Sequence, residues 1–168
     1  LIDLPVSKWD KLLNVNARAT LLLAQAAYPA LKESKGALVA VASMSGMGAH
    51  PGMGAYSPSK AALISLCQVL AQEWACDGIN VNTVSPGMIR TPLTQKVYEN
   101  NQIAKERAAL VPWGRVGNPE DISNVISFLL SPEANYITGQ NILVDGGFVD
   151  SLYRHIPGLP DSSEIDKT

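Results

Sequence analysis

The chain has 168 residues, 46% of them apolar, which suits a single folded domain with a buried core. Its 13 basic and 15 acidic residues leave a net charge of −2, so there is no electrostatic case for nucleic acid or for an anionic membrane surface. No apolar run approaches the roughly 20 residues needed to span a bilayer, no signal peptide is evident, and His50 and His155 lie far apart outside any ligand motif, so no structural metal is expected.

The chain opens on "LIDLPVSKWDKLL", without an initiator methionine, as a processed product, a trimmed chain or a fragment would. Ser7 is placed as the N-cap of a helix reaching Lys35, with Gly36 as its stop. "ALVAVAS" (37–43) is a nearly continuous apolar run and predicts a strand buried on both faces. The glycine-rich "GMGAHPGMG" follows, then a helix over 54–76 with Pro58 tolerated in its first turn and Gly78 at its end. Cys67 and Cys76 match no metal or redox spacing, which predicts reduced thiols and a cytoplasmic location. "INVNTVS" (79–85) predicts a second strand. Residues 86–115 carry breakers at both ends and a polar helical middle, the pattern of a mobile loop. "NPEDISNVISFLL" predicts a helix with an acidic first turn, and "QNILVDGG" a third strand. From Ser151 the tail is rich in proline, serine and charge, and is expected to be poorly ordered past Leu159. Helices alternating with short apolar strands predict an α/β fold with a parallel sheet covered on both faces.

Within "AYSPSKAAL" (55–63), Tyr56 and Lys60 are four apart at a helix start, on one face. An ammonium beside a phenol favours the phenolate and suits the pair to acid–base work. The spacing alone is weak evidence, because Tyr28 and Lys32 repeat it. Context separates the two pairs. Ser43 precedes Tyr56 by 13 residues, at the C-terminal end of the first predicted strand, where functional groups of open α/β sheets gather. The same count back from Tyr28 reaches Val15. Asn16 lies a further 27 residues before Ser43, and the second strand runs into "SPGMIRTP". Tyr28 and Lys32 are read as a coincidence of helix surface.

This set resembles the short-chain dehydrogenase/reductase family, in its Asn–Ser–Tyr–Lys tetrad, its Pro-Gly turn with a nearby threonine, and the closing "GQNILVDGG". The resemblance runs from Trp9 to about Gly147 and implies the C-terminal, catalytic part of a doubly wound Rossmann-type domain over residues 1–150, with a tail over 151–168. It implies an NAD- or NADP-dependent oxidoreductase interconverting a secondary alcohol and a ketone. Tyr56 would be the general acid/base, Lys60 would favour its phenolate and hold the nicotinamide ribose, and Ser43 would polarise the substrate oxygen. Asn16 would hold a water linking Lys60 to solvent, and Pro86, Gly87, Ile89 and Thr91 would place the carboxamide end of the cofactor. Residues 93–114 would form a substrate lid. All four methionines (Met44, Met47, Met53, Met88) flank this region, as an adaptable apolar pocket would use them.

Gly48, Gly52 and Gly54 have the spacing of the family's phosphate loop, but Pro51 removes a backbone N–H there and the next strand ends in Ser85 rather than an acid. The loop is therefore read as active-site loop. The resemblance places the phosphate loop in an N-terminal half not in this chain, supplied in the gene product or by a companion polypeptide, and the chain by itself is expected to be inactive or weakly active. It also implies a homo-oligomer, dimer or tetramer, packed through the two long helices, with Leu63, Leu66, Leu70 and Trp74 serving either that contact or the core. The alternative is a non-catalytic fragment or interaction subunit.

Overall fold

The computed structural model describes residues 1–158, so the expectation for the tail past Leu159 lies outside the described residues. The first predicted helix is three joined pieces: α1 (Val6–Leu13), a π-helical turn (Asn14–Arg18) and α2 (Ala19–Ser34). Pro5, not Ser7, occupies the N-cap position, and no side chain caps the helix. Proline suits this place because it brings no N–H to a turn whose donors have no helical partner. The helix ends on Lys35 in the left-handed conformation (φ 48°), with Gly36 donating back to the Leu31 carbonyl at 2.9 Å.

β1 (Ala37–Val41) leads through a 3₁₀ turn (Met44–Gly46) and the glycine loop into α3 (Tyr56–Trp74). Gly78, at φ 77°, then turns the chain into β2 (Asn80–Pro86). The polar stretch after β2 forms α4 (Gln95–Tyr98) and α5 (Asn101–Leu110), the latter capped by the Asn100 side chain. α6 (Pro119–Leu129) starts on a capping box between Asn118 and Asp121, and β3 (Asn141–Val144) completes the sheet. The strands run parallel in the order β1-β2-β3.

The helices lie on both sheet faces. On one, Leu63, Cys67, Leu70, Ala71 and Trp74 of α3 pack with Ala24 of α2 against Ala40 and Val81. On the other, Ile122 and Leu129 of α6 pack against Val84. Leu63, Leu70 and Trp74 are thus core residues of this chain. β2, paired on both sides, is the buried strand; its polar Asn82, Thr83 and Ser85 are satisfied by Ile137, Gln140 and Asn141. β1 departs from the expectation of burial on both faces. Only Ala40 is buried and Val41 is 46% exposed, because the edge away from β2 has no strand beside it among the described residues.

Tyr28 and Lys32 also depart from expectation. The Tyr28 hydroxyl donates to Asp77 at 2.5 Å, Lys32 pairs with the same carboxylate at 2.6 Å, and the Tyr28 ring packs on Trp74. The pair is a clamp between α2 and the turn after α3. Asp77 accepts both donors, which lowers its pKa and raises those of Tyr28 and Lys32.

Candidate active site

The parallel strands point their carboxyl ends one way, and Ser43 and the Pro86–Thr91 turn follow two of those ends. Ser43 lies two residues past β1, buried, its hydroxyl oxygen accepting from the Ser45 amide at 3.1 Å. Tyr56 is the first residue of α3, a 19-residue helix whose N-terminal dipole favours negative charge nearby. Lys60, one turn on, holds its ammonium 5.9 Å from the Tyr56 ring centroid and donates to the Val41 carbonyl at 2.8 Å. Burial pushes the Lys60 pKa down.

Asn16 sits in the π turn, a distortion that often marks functional sites. Its amide donates to the Ser59 hydroxyl at 2.9 Å, and that hydroxyl donates to the Tyr56 carbonyl at 2.7 Å. The fully buried Ser59 therefore ties Asn16 to the first turn of α3. Asn16 and Lys60 share one groove along the open edge of β1.

Pro86 ends β2. Gly87 donates to the Val144 carbonyl at 2.9 Å and passes so near β3 that a Cβ there would lie 2.5 Å from the Asp145 Cβ. Ile89 bridges to Gly117, its carbonyl accepts from the Thr94 hydroxyl at 2.8 Å, and the Thr91 amide donates to that hydroxyl at 2.9 Å. The geometry thus joins Asn16, Tyr56 and Lys60 at one end of α3 and sets Ser43 and the Pro86–Thr91 turn at the ends of adjacent strands. No hydrogen bond links Ser43 to Tyr56 among the described residues.

A cleft of about 390 Å³ opens one residue past Ser43, walled from the chain beyond all three strands by Met44, Ser45, Met88, Phe148 and Val149, and from the glycine loop by Gly48, Ala49 and His50. Arg107 and Leu110 of α5 close its far side. Met44 and Met88 line this cleft, while Met47 and Met53 are largely exposed. The sequence reading missed Ser59, His50 and Arg107. Ser59 carried a local signal, since it sits between Tyr56 and Lys60; the other two reach the cleft only through tertiary packing.

The family model described as enoyl-(acyl carrier protein) reductase matches residues 1–149. A 3-oxoacyl-(acyl-carrier-protein) reductase of Thermotoga maritima is 40% identical over 151 residues, covering 89% of this chain and 60% of that protein. An oxidoreductase of the short-chain dehydrogenase/reductase family from Burkholderia thailandensis superposes with a TM-score of 0.82 at 34% identity, over 89% of this chain and 59% of that one. A 4-hydroxyisoleucine dehydrogenase complexed with NADH gives a TM-score of 0.83 at 36% identity, over 89% and 62%. The chain spans about 60% of each of these relatives. The matched span takes in the whole sheet, the Tyr56–Lys60 turn and the Pro-Gly turn, with a Rossmann-type arrangement of helices and strands, and the chain belongs to the short-chain dehydrogenase/reductase family.

Proposed function

We propose that this chain carries the catalytic part of an NAD(P)-dependent oxidoreductase that interconverts a secondary alcohol and a ketone. The observation that carries the reading is the first turn of α3, where Tyr56, Lys60 and Asn16 are held together through Ser59 and the Val41 carbonyl. A bound nicotinamide would supply the hydride in ketone reduction and accept it in alcohol oxidation. In reduction the Tyr56 hydroxyl gives a proton to the carbonyl oxygen, and in oxidation the Tyr56 phenolate takes one from the alcohol. Lys60, partly desolvated beside the ring, stabilises the phenolate that remains. Ser43 orients the substrate oxygen and stabilises charge developing on it. Asn16 holds the water through which Lys60 exchanges protons with solvent.

The residues fit the nicotinamide-ribose end of NAD or NADP. Lys60 uses one of its three donors on Val41, leaving two for ribose hydroxyls. The Ile89 amide has no hydrogen-bond partner among the described residues and is available to a carboxamide. The glycine loop does not fit the pyrophosphate, because Pro51 brings no N–H and Gly48 already lines the cleft. We assign the pyrophosphate to a further strand-bearing segment, in the same polypeptide or a companion, that pairs with the open edge of β1 beside the exposed Val15, Leu23 and Val41. The relatives' greater length supports that assignment. Residues 93–114 serve as the substrate lid, and Leu22 and Val69, exposed on α2 and α3, support a homodimer or tetramer. No helix of the described residues is long and apolar enough to cross a membrane; the free Cys67 and Cys76 support a cytoplasmic enzyme.

The test is carbonyl-dependent oxidation of NADH or NADPH by the protein carrying its complete gene-encoded sequence. Turnover of small ketones with one of the two cofactors is expected. Dinucleotide binding without turnover of any ketone or alcohol would favour an interaction subunit instead.

A further inference from the structure

The cleft beside Ser43 has an asymmetry that the reaction itself does not require. Its walls are mainly apolar (Met44, Met88, Leu110, Phe148, Val149), and none of its lining residues is acidic. Arg107 is its one formally charged lining residue. Arg107 is half-buried as a residue, and its guanidinium makes no ion pair and no side-chain hydrogen bond among the described residues. It is nonetheless held in place, stacked 5.6 Å from the centroid of the buried Tyr98 ring, with the Arg90 guanidinium 5.3 Å from the same centroid. Two like charges on one ring raise the local positive potential, and a low-dielectric cleft concentrates it. His50 faces the cleft from the opposite loop, its Nδ1 3.1 Å from the Ser45 hydroxyl.

Among the described residues, three other cations make an ion pair or a side-chain hydrogen bond. Lys32 meets Asp77, Arg115 meets Asp121 through two hydrogen bonds, and Lys60 meets a backbone carbonyl. A pre-positioned guanidinium with its fork of donors free is built for a planar or tetrahedral oxyanion. Resting on the assignment of Ser43 and Tyr56 to carbonyl chemistry, we propose that Arg107 is the specificity-determining residue for a substrate that carries an anionic group at the end of a short apolar chain. The carbonyl lies by Ser43, the methylenes lie against Met44 and Met88, and the carboxylate or phosphate meets Arg107. A cleft of 390 Å³ suits such a small molecule.

The experiment compares kcat/KM for 4-oxopentanoate and 5-oxohexanoate with their methyl esters and with 4-oxopentyl phosphate, using the complete protein and its Arg107→Gln and Arg107→Lys variants. The anions are expected to exceed the esters by about 10- to 100-fold, the scale of a charge-assisted hydrogen bond. In R107Q that ratio collapses to within about threefold, and R107K restores part of it because charge remains without the fork. The relative rates of carboxylate and phosphate identify which anion is native to the site. Direct binding of 4-oxopentanoate and its ester, followed by ligand-observed NMR, separates two failures. Anion-selective, Arg107-dependent binding without turnover sinks the catalytic reading alone. Equal handling of esters and anions, or a ratio unmoved in R107Q, overturns the assignment of Arg107. So does a neutral acetoacetyl thioester outrunning every anion.

Discussion

Replacing Gly87 with alanine tests how the Pro-Gly turn is held. The backbone there is not left-handed, so the cost is one of space alone. A Cβ would lie 2.5 Å from the Asp145 Cβ and 2.7 Å from its Cα, where ordinary carbon contacts are about 3.5–4.0 Å. Both atoms belong to the chain leaving β3, so relief requires the ends of β2 and β3 to part by about 1 Å. That movement strains or breaks the hydrogen bond from Gly87 to Val144, now 2.9 Å. Overpacking at about 1–3 kcal/mol and a lost hydrogen bond at about 1 kcal/mol give a destabilisation of about 2–4 kcal/mol. Gly52 supplies the contrast. It has φ 82° but nothing within 4 Å of its would-be Cβ, so alanine there costs only the left-handed backbone, about 1–2 kcal/mol. Urea unfolding with an unchanged m-value reads both directly. In thermal melts Gly87→Ala should lose roughly 5–15 °C. A Gly87→Ala protein within about 0.5 kcal/mol of the parent, or more stable than Gly52→Ala, would refute the packing argument.

Two further outcomes follow from local environments. Cys67 is buried and its thiol is pushed up to about 11, whereas Cys76 is exposed, so a disulfide reagent at mildly alkaline pH should titrate one thiol in the native protein and two after unfolding. Asp121 accepts two hydrogen bonds from Arg115 and one from the Asn118 amide, which hold its carboxyl well below the ordinary 3.8. A depressed carboxyl contributes stability above its unfolded value that is lost as pH falls toward the folded one. The melting-temperature gap between the parent and Asp121→Asn should therefore shrink as pH drops below about 4; a constant gap would contradict that linkage.

The sequence announced what is encoded locally. The Tyr56–Lys60 turn, a strand predicted over 37–43 and found over 37–41, and the acidic start of α6 each rest on residues within one or two turns of each other, so periodicity and capping signals reveal them. What it concealed depends on distant partners. Tyr28 and Lys32 looked incidental because Asp77, which organises them, lies 49 residues beyond Tyr28. β1 read as fully buried because an apolar run reports what a strand can bury, not which neighbours stand beside it. The π turn at Asn14–Arg18 leaves the apolar pattern nearly unbroken, so one continuous helix was the natural expectation. Arg107 looked like one more solvated charge on a polar helix until packing turned it toward the cleft.

The most direct test of the central claim uses the two tyrosines as each other's control. Both sit four residues before a lysine on a helix, but only Tyr56 stands in a turn tied through Ser59 to Asn16. In the complete protein, Tyr56→Phe should cut kcat for ketone reduction by about 10²–10⁴-fold with dinucleotide binding retained. Tyr28→Phe should lose some stability with its Asp77 hydrogen bond but keep kcat within about twofold. A Tyr56→Phe protein that turns over as fast as Tyr28→Phe would contradict the account.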